Sequence, residues 1–232
     1  MLNAWHQALM HKKVDITRTQ VLAHKFLVKS PELINPEQFI SLMDQHPAIR
    51  EELLEVIEWC LEQTALPYSQ LQGTPSTWLL SLHKRYSRSD IMTAIGYSDS
   101  TKRPAFREGC LPNLESKIEL MFVTLDKSEG FSERVQYHDY AISPKLFHWQ
   151  SQNAARATNK TGRRYLDSVA GPNANGWRFY LFVRENKDSA YATLGEALLI
   201  KAEGEHPISI TWELKNAMPV ELFRHFSILR IS

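Results

Sequence analysis

Trp177-Arg178-Phe179-Tyr180-Leu181-Phe182-Val183 decides the fold. A short apolar run rich in aromatic residues, with Gly176 before it and Glu185-Asn186-Lys187-Asp188-Ser189 after it, predicts a strand buried on both faces. The same signature recurs outward in both directions. Glu119 to Leu125 predicts a mostly buried strand. Arg134 to Tyr140 is partly alternating and aromatic, and Phe147 to Gln152 follows Pro144. Tyr191 to Ala202 and Ile208 to Leu214 add two more strands. Pro172 to Gly176 predicts a turn, and Pro219 to Phe226 a short closing helix.

Upstream of residue 117 the period changes to that of a helix. Thr17 or Thr19 is placed to open a helix through Val21, Leu22, Phe26 and Leu27, interrupted at Ser30-Pro31. Pro36 fits the first turn of the next helix and Pro47 that of a third. In the third, Ile49, Leu53, Val56, Ile57, Cys60 and Leu61 recur at helical spacing as one apolar face. Glu51, Glu52, Glu55, Glu58 and Glu62 fill the rest and read as a solvated surface rather than metal ligands. Pro67 to Pro75 reads as a loop, and Ser76 or Thr77 as a cap on the apolar stretch Trp78 to Leu82. Ser87-Arg88-Ser89-Asp90 before Ile91-Met92 and Gly96 predicts a short capped helix with a glycine stop. The expected fold class is α+β, with a helical region over 1–74 and a β-rich domain over 75–232 whose sheet is partly closed.

Composition agrees with a globular chain. The 232 residues are 43% hydrophobic and 23% charged, which excludes collagen-like, coiled-coil and wholly disordered classes. No run of 18 apolar residues occurs, and Met1 to His6 carries neither a basic n-region nor an apolar h-region. Cys60 and Cys110 form no CxxC pair, so no disulfide framework or zinc knuckle is expected. A cytoplasmic location without membrane contact is the expectation. The net charge of +1 is unevenly spread: −3 over 1–75, +5 over 76–165 and −1 over 166–232. An acidic partner would meet the middle third.

No nucleotide-binding P-loop, dinucleotide fingerprint, HExxH or GxSxG motif is present. No cofactor or metal is expected, and recognition rather than catalysis is the leading reading. His11, His24 and His206 read as solvated residues. One enzymatic alternative is a small metal-dependent nuclease, with Asp167 and Glu185 holding the ion and Lys187 steadying an oxygen. The stronger constellation is basic and aromatic. It comprises Tyr137, His138 and Tyr140, then His148, Trp149, Gln150, Gln152 and Asn153, then Arg156, Lys160, Arg163 and Arg164. Residues 145–165 hold five Lys or Arg and no acid. Cations neutralise phosphates, amides reach base edges, and aromatic faces accept bases. Alternation puts Phe147, Trp149 and Ser151 on one strand face and His148, Gln150 and Gln152 on the other. Tyr137, Tyr140, Phe147 and Trp149 are the expected lining of a pocket for an extruded or modified base. Lys84, Arg85, Arg88, Lys102, Arg103 and Arg107 form a second basic group.

At these residues the chain resembles an uncharacterised C-terminal domain of bacterial DEAD/DEAH-like helicases, often carried with a phospholipase-D-like nuclease domain. The likeness spans about residues 75–220, through Leu82 to Ile91, Arg107-Glu108-Gly109, Phe122 to Lys127, Tyr137 to Ser143, Phe147-His148-Trp149-Gln150-Ser151-Gln152-Asn153, Leu181 to Glu185 and Leu194-Gly195. The resemblance implies company with nucleic-acid machines, as in restriction or defence, and no established activity. The helicase motor and the phospholipase-D-like motif are absent, so the chain is expected to be a stand-alone member or a fragment, without ATP hydrolysis. The partner expected is nucleic acid, DNA first, with a helicase or nuclease protein beside it. Protein docking through the acidic N-terminal helices is the third reading.

Overall fold

A computed structural model describes residues 2–26, 35–63, 70–97, 108–125, 139–152, 154–168 and 175–227. The chain divides into two compact units. One comprises Met1–Gln70, Pro75–Ser81 and Arg88–Phe106, the other Leu71–Thr74, Leu82–Ser87 and Arg107–Ser232.

The first unit is helical: α1 (Leu2–His11), α2 (Ile16–Phe26), α3 (Pro36–Gln45), α4 (Pro47–Gln63) and α5 (Arg88–Ala94). Asn35 caps α3 by accepting the Gln38 N–H at 2.7 Å, while the Gln38 side chain accepts the Asn35 N–H, with Pro36 in the first turn. Leu9, Leu22, Phe39, Met43, Leu54 and Ile57 form the core. The glutamates of α4 are exposed as expected, but its apolar residues do not form one buried face. Leu54 and Ile57 point inward, whereas Ile49, Val56 and Trp59 lie in solvent. The α5 helix ends at Gly96, whose φ of +71° is left-handed and suits a residue without a Cβ. Trp78 and Leu80 are buried without forming the expected capped element; an isolated bridge joins Gln70 and Ser81.

The second unit carries one mixed sheet. Its strands are β1 (Arg85–Tyr86), β2 (Cys110–Asn113), β3 (Ile118–Thr124), β4 (Tyr140–Ser143), β5 (Leu146–Gln150), β6 (Arg178–Arg184), β7 (Tyr191–Glu203) and β8 (Ser209–Leu214). Two helices accompany it, α6 (Lys160–Leu166) and α7 (Val220–Phe226). The order is β2-β3-β6-β7-β8-β5-β4, with β1 paired to the start of β7. Only the β3–β6 pair among these is parallel. The sheet is open, not closed into a barrel. Its end strands are interrupted: β2 contains Pro112, and β4 breaks register between Ala141 and Ser143. Gly195, at φ +88°, falls where the β6–β7 register shifts, the left-handed geometry of a bulge.

Period-two alternation gives the sheet two faces. On one, Phe147, Trp149, Phe179, Leu181, Val183, Ile210 and Trp212 form the main core with Tyr165 of α6 and Leu222 and Phe226 of α7. The opposite face changes along the sheet. Toward β3 and β6 it is buried, and Phe122 stacks on Phe182 at 5.3 Å. There the Tyr180 hydroxyl donates to the Gln72 carbonyl at 2.8 Å, and Arg178 donates to the Gly73 carbonyl. Toward β8, β5 and β4 the same face is half-buried, at Thr211, His148 and Tyr140.

Candidate nucleic-acid interface

The basic segment 145–165 was expected to continue past β5 as a loop. Residues 154–168 contain the short helix α6 instead. Asn159 caps it, accepting the Gly162 N–H at 2.9 Å, and its amide donates to the Ala154 carbonyl at 2.7 Å. Gly162 is required by close approach: a Cβ there would overlap the Arg156 carbonyl. Tyr165 then turns into the core, edge-on to Trp149 at 5.5 Å.

The helix separates two adjacent arginines. Arg164 turns inward and donates to Glu119 at 2.5 Å, with that carboxylate fully buried. The Tyr165 hydroxyl donates to the other Glu119 oxygen at 2.5 Å, and the Arg164 guanidinium lies 4.5 Å over the Trp177 ring. Arg164, expected to meet phosphate, is therefore part of the internal structure. Arg163 points outward, 61% exposed, with Asp167 3.4 Å away. Arg156 and Lys160 are exposed too. Cys110 adjoins the buried network. Burial pushes its thiol strongly up and the Glu119 charge adds to this, which favours the protonated form.

The expected base pocket does not form as drawn. Phe147 and Trp149 are 0% and 5% exposed, packed where α6 covers the sheet. His148 and Gln150 lie on the opposite face, with Tyr140 stacked on His148 at 5.0 Å and 19°. Register aligns Tyr140, His148, Thr211 and Lys201 across four strands. Thr211 and Lys201 had no place in the sequence motif, because β7 and β8 lie far along the chain. The constellation is thus split: the aromatic–amide face and the α6 cations lie on opposite sides of the sheet. The Gln150 N–H donates to Asp139 at 2.8 Å. With its amide oxygen turned inward, Gln152 accepts from the Gly109 and Cys110 N–H groups at 2.7 and 3.2 Å. Tyr137, His138 and Asn153 lie outside the described residues, as do Lys102, Arg103 and Arg107 of the second basic group.

Within that second group, Arg85 grips Glu185 through two contacts of 2.9 and 2.6 Å, and Arg88 belongs to the helical unit. Lys84 is exposed in the turn before β1. The Arg85 hydrogen bonds also hold the Glu185 carboxyl below its usual range. Asp167 closes α6, and Lys187 sits in the exposed β6–β7 turn. Among the described residues, no group of three His, Cys, Asp or Glu side chains is arranged to hold a metal ion.

Glu196, 3% exposed, meets Arg178 at 2.5 Å and Lys215 at 2.8 Å. Burial works to raise its pKa, but the two cations hold it below the ordinary 4.5. Its contribution to stability is therefore present above pH 4.5 and lost as pH falls through the lower folded value. Denaturant midpoints followed from about pH 6 to about pH 3 should fall less in Glu196→Gln than in the parent. Parallel profiles would remove Glu196 from the acid response.

These features define an open mixed-sheet domain with one helix-covered face, accompanied by a helical unit. The model of the family described as Domain of unknown function (DUF3427) matches residues 80–226, more than half of the chain, and the chain belongs to that family. The family is associated with bacterial DEAD/DEAH-like helicases and phospholipase-D-like nucleases. No curated protein matches the chain. Among the described residues, no helix is long and apolar enough to cross a membrane.

Proposed function

We propose that the β-rich part, within 75–232, binds nucleic acid, DNA first, and supplies target recognition to a helicase or nuclease. The observation that supports this reading is the outward set Arg156, Lys160 and Arg163. These cations stand on a segment anchored by the buried Tyr165 and Arg164 contacts with Glu119. In residues 154–168 only Asp167 opposes them. A fixed backbone that presents exposed cations fits a phosphate strand, because less backbone order is lost on binding.

The test is a salt titration of binding to single-stranded and duplex DNA. The parent's affinity is expected to fall steeply with salt. Replacing Arg156, Lys160 and Arg163 by alanine should flatten the slope of log affinity against log salt by about 0.7–0.9 per lost phosphate contact. Thermal stability should change little, since all three are surface positions. Alanine at Tyr140 and His148, across the sheet, should leave that slope unchanged. Absence of binding at low salt, or an unaltered slope in the triple variant, would sink the proposal.

A further inference from the structure

The α4 helix has two apolar stripes, and the bundle uses one. Leu54 and Ile57 are 8% and 2% exposed within the helical core. Ile49, Val56 and Trp59 are 47%, 58% and 62% exposed. Positions 49 and 56 are seven apart, so they nearly eclipse on a helix, and 59 follows one turn later. They share one outer side of the helix, with Glu52 between Val56 and Trp59 around it and Glu55 and Glu62 along its edge, all exposed. The lone basic residue of α4, Arg50, is turned to the bundle, where it donates to the Leu9 carbonyl at 2.6 and 2.9 Å.

We propose that this stripe docks a basic amphipathic helix of a protein partner. An exposed tryptophan beside aliphatic residues is the kind of anchor that carries much of an interface's energy. A helix laid along α4 would seat its apolar side chains on Ile49, Val56 and Trp59, with Lys or Arg facing the glutamates. Charge selects this occupant over a second copy of the chain. Two α4 helices face to face would oppose Glu52, Glu55 and Glu62 with the same three glutamates, and each Arg50 is already engaged. The site is independent of the proposed nucleic-acid surface.

The probe is a labelled Leu/Lys amphipathic helical peptide, titrated against the full chain by fluorescence anisotropy. A scrambled peptide of equal charge and a Leu/Glu peptide serve as controls. The parent should bind only the first. Trp59→Ala should weaken it at least about tenfold, and Val56→Ser should weaken it in the same direction. Reversing charge at Glu52, Glu55 and Glu62 to lysine should abolish binding. All variants should keep the parent's melting temperature, because the positions are exposed. Equal binding of the scrambled peptide would reduce the site to bulk charge and overturn the proposal. So would undiminished binding by the variants, or no binding by the parent. Self-association lost on Trp59→Ala in sedimentation would overturn it in favour of a second copy.

Discussion

Glu119→Ala is expected to destabilise the sheet unit by about 3–5 kcal/mol, since it removes one partner from a buried ion pair. The Arg164 guanidinium, 11% exposed, would lose its carboxylate, and the buried Tyr165 hydroxyl would lose its acceptor. Desolvated donors without partners cost more than the intact pair contributes. The comparison that isolates this is the double substitution Glu119→Leu with Arg164→Met. It removes both charges at similar volume and should recover most of the loss. Chemical denaturation of Glu119→Leu, Arg164→Met and the double gives the coupling directly. A Glu119→Ala protein with an unshifted midpoint would show that the network does not tie α6 to the sheet.

Trp149→Ala should cost a similar amount, about 3–5 kcal/mol, by a different route. Its indole fills the space between Tyr165 at 5.5 Å and Trp212 at 6.2 Å, and its partner in register on β8 is Ile210. Truncation leaves a cavity that a sheet held by neighbouring strands cannot close. Under conditions where the variant remains folded, its DNA affinity should equal the parent's. A stable Trp149→Ala protein with weakened binding would return the indole to the interface.

The sequence disclosed most where one local signal was enough. The runs Glu119 to Leu125 and Trp177 to Val183 are short and apolar enough to read as strands, and β3 and β6 form there. Proline starts placed α3 and α4. The alternation of 147–152 correctly divided the two faces, which burial of Phe147, Trp149 and Ser151 bears out. Which face the core would claim was decided by Tyr165 and Trp212, far from the motif. The α6 helix was hidden because Thr161 and Gly162 depress its propensity. It forms because Asn159 caps it and Tyr165 is buried. Arg163 and Arg164 are chemically alike in sequence; the step of about 100° between neighbours on a helix sends one to solvent and the other to Glu119. A lone carboxylate inside the apolar strand Ile118–Thr124 was the available clue to that partner. In α4 the spacing suggested one apolar face without Trp59, because spacing alone cannot say that Ile49 and Val56 stay exposed while Leu54 and Ile57 are covered.

The interrupted end strands have a consequence for crowding. Sheet ends are where β-rich proteins zip together, because each offers a free row of donors and acceptors. Pro112 removes a donor from one end. At the other, the Ala141/Ser143 irregularity breaks the spacing, and Ser227 forms a bridge with Ala141. Neither end is an even ladder for an incoming strand. Copies of the chain crowded together would resist edge-to-edge aggregation.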